Sequence, residues 1–572
     1  VNRPLRRVSI AIALLFFALL ANASWVMVGD ARHLDHRTDN PRPLFQRLTT
    51  HRGDIRLQDG TVIAQSDHPT PTSTSYVRSY PQKSLYADVT GWAGAASTSN
   101  VELAEDDVLS GSDDRLSLHN FADTLSGKEK QGGYVVVTID AAAQKAATQA
   151  LTAAIGNSGF RGAVVAIDVH TGAIKALVGL PTYDPDTIAT NDIAADEKAY
   201  NALNAKKVNP LLDTATQTRY PPGSMFKLVT STAALGTGRW NPSTILDAPR
   251  SYTPPLTTQA ITNFAGESCG SGKVTFASAL ATSCNTAFAK LGVAVGQAAL
   301  QQAATGFGIG ATPKVTGLPS TSLSASQFLD PSIPVLDPPR LAQTSIGQFN
   351  VALTPLQAAM IVQAIANGGQ LLQPYLVDSV HAPDGSVLSG GQTGVTPIGT
   401  PLSQSVDQQL TQMMLGVTTG DGTASGVFTS LGFPVAGKTG TAQHSTSTES
   451  LPPHTWFAGF GPANATATTP EYAVAAFVED GGTAGLGGQG ATVAAPIVEK
   501  VLAALTAATP ATAPSSSAHP SGPASAPASA PKTRAATTVS SKPAAARTSA
   551  APSTATTTTT GTAPSSAAAS AP

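Results

Sequence analysis

Residues 8–28 form an almost uninterrupted apolar run, long enough to cross a bilayer as one helix. Arg3, Arg6 and Arg7 precede it, which places residues 1–7 on the cytoplasmic side and exports the chain beyond the run. Ala21-Asn22-Ala23 has the small residues of a signal-peptide cleavage site, but the apolar run continues past it through Trp25, Val26, Met27 and Val28. An uncleaved anchor is therefore expected. Beyond it the pattern breaks into shorter pieces. Residues 61–64 and 133–138 read as strands of a mainly β extracytoplasmic module over 29–160, and a helical pattern over 141–151 leads out of it. Two apolar runs, 163–167 and 174–178, flank His170-Thr171-Gly172 and predict a hairpin. Three more strand-like stretches come later, around Lys438, at 456–460 and at 472–478. Helices are expected between them. Thr354 as N-cap, Pro355 at the first position, Gln357 completing a capping box and Gly368 past the end mark one of them. The last helix should begin shortly before Pro496 and end near Leu505. Strands at both ends of residues 161–505 with helices between them predict an α+β domain, one antiparallel sheet with helices on both faces.

Composition changes this picture at the C-terminus. From about Thr506 to residue 572 the chain is almost entirely Ala, Pro, Ser and Thr, too poor in apolar content to offset ordering entropy, so a disordered tail is expected. Across all 572 residues, 34 basic groups face 36 acidic ones, and that balance gives no reason to expect a nucleic-acid partner. The only two cysteines are Cys269 and Cys284. In an exported domain such a pair reads as a disulfide. The alternative makes Cys284 a small buried residue and Cys269 an unrelated thiol. No further ligands stand near them to complete a zinc site, so no metal is expected.

The chemistry is written most clearly at Tyr220-Pro221-Pro222-Gly223-Ser224-Met225-Phe226-Lys227. On a helix, a serine three residues before a lysine shares its face and lies within bonding reach. The two prolines put the helix start at about Gly223 or Ser224, where free N–H groups and the positive dipole end suit an oxyanion. Ser-x-x-Lys alone is weak, but Ser283-Cys284-Asn285 and then Lys438-Thr439-Gly440-Thr441 come after it. In that order the three motifs form the signature of penicillin-binding proteins and serine β-lactamases.

From residue 52 to 505 the chain resembles a class B penicillin-binding protein, nearest to the actinobacterial penicillin-binding protein A type. Arg52-Gly53-Asp54-Ile55, Thr138-Ile139-Asp140 with Gln144, Pro181-Thr182-Tyr183-Asp184-Pro185, Ser345-Ile346-Gly347-Gln348, Thr354-Pro355-Leu356-Gln357 and Trp456-Phe457 all match the family's wording. Two places depart from it. Asp213-Thr214-Ala215 stands where the family commonly has Asn-Arg-Ala, and Asn100-Val101-Glu102 stands for Gly-x-Glu.

The resemblance implies a membrane-anchored peptidoglycan D,D-transpeptidase that needs no cofactor and is blocked by β-lactams. Ser224 would attack a D-alanyl-D-alanine stem peptide, with Lys227 as base and Ser283 relaying a proton. Lys227 must be neutral for this, which desolvation and the charge of Lys438 favour. Asn285 would hold the donor backbone, and Lys438, Thr439 and Thr441 its carboxylate. Gly440 would leave a strand face bare for the substrate. The resemblance places the oxyanion hole at the N–H groups of Ser224 and Thr441. It also implies partners: a SEDS-family glycan polymerase and other divisome or elongation proteins. A class A β-lactamase would need a glutamate between the second and third motifs, and none occurs from Asn285 to Lys438. A D,D-carboxypeptidase shares all three motifs, and a penicillin-binding sensor or scaffold could use the same serine. The sequence leaves both open.

Overall fold

In the computed structural model the described residues are 2–26, 48–70, 72–116, 127, 130–390, 395–444, 451–463 and 471–507. The tail beyond residue 507 lies outside them, as do Met27 and Val28 at the end of the apolar run. The run itself forms the helix Asn2–Ser24, whose segment Arg3–Ser24 is long and apolar enough to cross a membrane. Its side chains from Arg3 onward are exposed, as expected of a helix whose apolar surface has no protein partner.

The strand-like runs do form one antiparallel sheet of five strands. Its order is Ala436–Ala442, His454–Gly461, Tyr472–Val478, Gly162–Asp168 and Ile174–Leu180. Successive side chains on a strand point to opposite faces, and here both faces are covered. Val164, Ala166, Val474 and Ala476 pack with the helices Ala141–Ile155 and Ala495–Ala507. Ala163, Val165, Ala473 and Ala475 belong to a second core that includes the helix Pro355–Ala366. Burial on both faces explains why these strands read as apolar at nearly every position. The hairpin turn sits where the sequence put it, with Asp168 Oδ1 accepting from the N–H groups of His170 and Thr171. Thr354 caps its helix, its side chain accepting from the Gln357 N–H at 3.1 Å. The capping box is only half made, because Gln357 Nε2 donates instead to the Phe307 carbonyl at 2.7 Å.

A second sheet has six short strands in the order Val387–Gly390, Val377–His381, Tyr134–Val137, Ile55–Leu57, Val62–Asp67 and Val77–Ser79. It draws two strands from residues 377–390, so its hydrogen bonding crosses the division at residue 160 drawn from sequence. Ile55–Leu57 and Tyr134–Val137 pair in parallel. Buried Glu102 fixes this module: Arg52 Nε reaches one of its oxygens at 2.7 Å and Arg78 Nε the other at 2.6 Å. The two family segments at Arg52 and Glu102 thus meet in space. Asn100, which stands for the family's glycine, has φ 47°, a left-handed conformation that asparagine tolerates better than most residues.

Candidate active site

Three separate elements converge on one cleft. Gly223–Phe226 forms a tight 3-10 turn running into the α-helix Lys227–Gly236, so Ser224 lies in the first turn as the prolines predicted. Gly223 makes that turn possible at φ 51°. Its N–H donates to the Gly347 carbonyl at 3.0 Å, and Trp456 Nε1 donates to the Pro221 carbonyl at 3.0 Å. Two of the segments that carry the family resemblance, those at Gly347 and Trp456, therefore support the nucleophile turn.

Ser283 sits between the helices Phe276–Ala281 and Asn285–Val295 at φ 59°, a strained conformation for a residue with a side chain. A disulfide between Cys269 and Cys284, with Cα atoms 6.2 Å apart, ties this corner to the preceding loop. The third element is Ala436–Ala442, an edge strand of the five-stranded sheet.

The polar contacts form a chain. Lys227 Nζ reaches the Ser283 carbonyl at 2.7 Å, Asn285 Oδ1 at 2.8 Å and Ser283 Oγ at 3.2 Å. Lys438 Nζ donates to Ser283 Oγ at 2.9 Å and to the Thr439 carbonyl at 2.9 Å. The Ser283 hydroxyl therefore stands between two lysines, and both lysines are fully buried. Burial holds Lys227 well below the usual lysine range, and the charge of Lys438 adds to the effect. Burial alone brings Lys438 down to about 7. No carboxylate is a hydrogen-bond or ion-pair partner of either lysine among the described residues.

The other site residues divide. Asn285 has both ends of its amide engaged, Oδ1 with Lys227 and Nδ2 donating to the Thr262 carbonyl at 3.1 Å, which leaves one N–H of that amide for a ligand. Thr439 Oγ1 is 2.8 Å from Thr423 Oγ1, and Thr441 Oγ1 accepts weakly from the Gly490 N–H at 3.4 Å. Gly440 differs from expectation. A Cβ there would meet the Pro222 carbonyl at 2.7 Å and Trp456 Cβ at 2.8 Å, so the glycine lets the nucleophile turn pack on the strand. The strand's edge position, rather than a bare face, leaves its outer side without a strand partner in that sheet. Sequence reasoning missed Thr423, and also Phe288, whose ring lies 5.3 Å below Lys227 Nζ. Neither carries a motif; only the fold brings them in.

Residues 162–503 match the family model described as the penicillin binding protein transpeptidase domain, and residues 52–135 match the penicillin binding protein A dimerisation domain. The chain is 39% identical over 508 residues to the peptidoglycan D,D-transpeptidase PbpA of Mycolicibacterium smegmatis, covering 88% of this chain and 99% of that protein. To the PbpA of Mycobacterium tuberculosis it is 36% identical over 512 residues, with the same coverage. Among solved structures, the ceftriaxone acyl-enzyme complex of M. tuberculosis penicillin-binding protein A superposes with a TM-score of 0.74 at 36% identity, covering 81% of this chain and 99% of that one. The penicillin G acyl-enzyme complex of the same protein gives 0.71, covering 80% of this chain and 100% of that one.

Proposed function

The chain belongs to the class B penicillin-binding proteins, and from that membership we propose that it is a peptidoglycan D,D-transpeptidase working through a serine ester at Ser224. One observation carries the reading: Lys227, Ser283 and Lys438 form a continuous buried hydrogen-bond chain next to the turn that bears Ser224. A neutral Lys227 has two N–H groups, and the Ser283 carbonyl and Asn285 Oδ1 take both. Its lone pair is then left for a hydroxyl proton.

In the first half-reaction Ser224 Oγ attacks the penultimate D-alanine carbonyl while its proton passes to Lys227. The N–H groups of Ser224 and Thr441 hold the oxyanion. Lys438 and the Thr439 and Thr441 hydroxyls hold the terminal carboxylate, and the Asn285 amide holds the donor backbone. The C–N bond breaks as Ser283 passes a proton to the departing D-alanine amine and recovers one from Lys227. In the second half-reaction the amine of another stem peptide attacks the ester, the C–O bond breaks, and Ser224 regains its proton. A β-lactam undergoes the first half and stops there, because its leaving amine stays tethered to the acyl group.

The helix Asn2–Ser24 would anchor this domain outside the cytoplasm, with the arginines before it on the inner side. Residues 29–160 would act as the pedestal, and a polymerase of the SEDS family in the same membrane would supply the glycan strands. The test is intact-mass analysis after benzylpenicillin. Wild type should gain one acyl adduct and Ser224→Ala none. Dimeric stem-peptide products from purified protein and lipid-linked precursor separate a transpeptidase from a carboxypeptidase, which would release D-alanine without cross-links. An adduct on Ser224→Ala would end the assignment.

A further inference from the structure

Outside the catalytic hydrogen-bond chain, three side chains from the same region of the sheet turn ligating atoms toward one point. The nitrogens of His444 and His454 and a carboxylate oxygen of Asp480 all lie within 4.8 Å of one another. His444 Nε2 stands 2.8 Å from Asp480 Oδ1 and 2.8 Å from the Pro452 carbonyl oxygen. His454 Nδ1 stands 3.2 Å from the same carboxylate oxygen. The backbone N–H of Asp480 donates to that Nδ1 at 3.2 Å, so the nitrogen carries a lone pair, held only by this long hydrogen bond, rather than a proton. A lone pair and an anionic oxygen thus face each other without a proton between them. A cation placed between them would turn that repulsion into two bonds.

We propose that His444, His454 and Asp480 form a binding site for a divalent transition-metal ion of the zinc type, with the fourth position open to the Pro452 carbonyl or to water. The donor chemistry selects within the metals: two imidazoles and one carboxylate suit zinc and its neighbours, whereas calcium and magnesium take all-oxygen sites. The spacing fits as well. Zinc bonds of about 2.0–2.2 Å in a tetrahedron separate donors by roughly 3.4 Å, and the donor separations of 2.8 and 3.2 Å need only small adjustment. The two rings now stack at 4.1 Å with planes 15° apart, so closing on an ion turns one of them. His444 is the one that can move, being partly exposed. Buried His454 is braced edge-on by Tyr220 at 5.2 Å and Phe477 at 5.8 Å.

The location gives the ion a consequence. His454 pairs across the sheet with Ala442, one position beyond the Thr441–Thr455 pair. Tyr220, against His454, leads directly into the nucleophile turn. Bound metal would therefore tie the end of the Lys438 strand to the turn after Tyr472–Val478 and stiffen one end of the cleft. This inference rests on local geometry and stands whether or not the chain cross-links peptidoglycan.

The test uses the full chain in detergent, purified with a tag free of histidine, stripped with chelator and dialysed against zinc chloride. Metal content is read by plasma mass spectrometry and melting temperature by circular dichroism. One equivalent should bind with micromolar affinity or better, and the melting temperature should rise with zinc. His444→Ala and Asp480→Asn, both at partly exposed positions, should each lose affinity by at least about tenfold and lose the zinc-dependent rise. His444→Gln keeps more of the side chain's bulk and serves as the second variant if His444→Ala is poorly folded. No bound zinc on the wild type at a large excess, or equal binding by the His444→Ala/Asp480→Asn double variant, overturns the proposal.

Discussion

Gly223→Ala is the substitution that bears most directly on how the cleft is built. Gly223 holds φ 51° immediately before the nucleophile. An alanine there would put its Cβ 2.6 Å from the Thr441 carbonyl oxygen and 2.9 Å from the Thr441 carbonyl carbon. Both are backbone atoms of the Lys438 strand, so no side-chain rotation relieves the clash. The left-handed conformation costs an L residue about 1–2 kcal/mol, and overpacking typically adds about 1–3 kcal/mol. After partial relaxation, a net strain on the order of 3 kcal/mol is reasonable. It has two outlets. If the turn parts from the strand, the oxyanion hole proposed at the Ser224 and Thr441 N–H groups is lost, and at about 1.4 kcal/mol per tenfold the acylation rate falls roughly 100-fold. If the strain is taken by global stability, the melting temperature falls by roughly 4 °C for a domain spanning residues 162–503, at about 2.1 cal/mol/K of unfolding entropy per residue. The assay is the second-order rate constant with a fluorescent penicillin, measured beside a thermal melt on the same preparation. An alanine variant within about twofold of wild type in rate, with an unshifted melt, would refute the idea that this glycine is needed for the turn to sit on the strand.

Cys269→Ser should lower stability by about 3 kcal/mol in the chain-entropy account, since the bond joins residues 15 apart; a melt that reductant does not change in wild type would count against it. Lys438→Met should stabilise the protein below pH 7 while abolishing carboxylate recognition. Burial brings the folded pKa from 10.5 to about 7, so the penalty for a buried charge is complete below about 7 and fades as pH rises toward 10.5. The wild-type melt should therefore approach that of the methionine variant in alkaline buffer, and a constant gap would sink the reading. Asp407 carries the opposite sign. Its carboxyl is pushed up to about 7 by burial, and its Oδ1 has no hydrogen-bond partner. The folded state keeps a proton that the unfolded chain releases near pH 4, so stability falls as pH rises from about 4 to 7. Asp407→Asn should remove part of that slope, on the order of 2 kcal/mol, visible as a flatter plot of melting temperature against pH.

How far each feature could be read from the sequence depends on the range of the interaction behind it. The strands of the five-stranded sheet were legible because short apolar runs and the His170-Thr171-Gly172 turn are local features. The Ser224 turn was legible because two prolines and a glycine leave few conformations. The order of the three motifs then located the cleft without any knowledge of distance. By contrast, the pairing of Tyr134–Val137 with Val377–His381 joins segments more than 200 residues apart, and nothing local marks it. Gln357 shows the same limit at smaller scale: the local rule sends its side chain back to the cap, but Phe307, distant in sequence, offers a buried carbonyl that must be satisfied. Considered on the strand alone, Gly440 reads as a bare position for substrate. Its real neighbours are Pro222, Trp456 and Met225, which only the folded chain supplies. Asp213 is a departure that can now be interpreted. It lies buried, accepts from the Ala215 N–H at 2.8 Å and from the Thr216 hydroxyl at 2.6 Å, and burial raises its pKa, as it does for nearby Asp88. Burial thus favours the neutral form of this acid, which matches the charge state of the family's asparagine.

The lack of a carboxylate partner for either lysine among the described residues links acylation to the fate of the ester. A carboxylate beside Lys227 or Lys438 would favour their charged forms and return both toward the ordinary lysine range. Lys227 could then no longer accept a proton from Ser224 near neutral pH. The same carboxylate is what a hydrolytic water would need as a base. Burial without an acidic partner therefore does two things at once. It favours the uncharged form of Lys227 that the proposed first step needs, and it gives a hydrolytic water no carboxylate base. An incoming amine is less dependent on that help, because a neutral amine is already a good nucleophile and needs to shed its proton only after bonding. Lys227, restored to its neutral form by proton transfer through Ser283, can take that late proton. On the proposed assignment, the arrangement that activates Ser224 thus also favours aminolysis over hydrolysis, and a β-lactam ester there would meet a water with no carboxylate base.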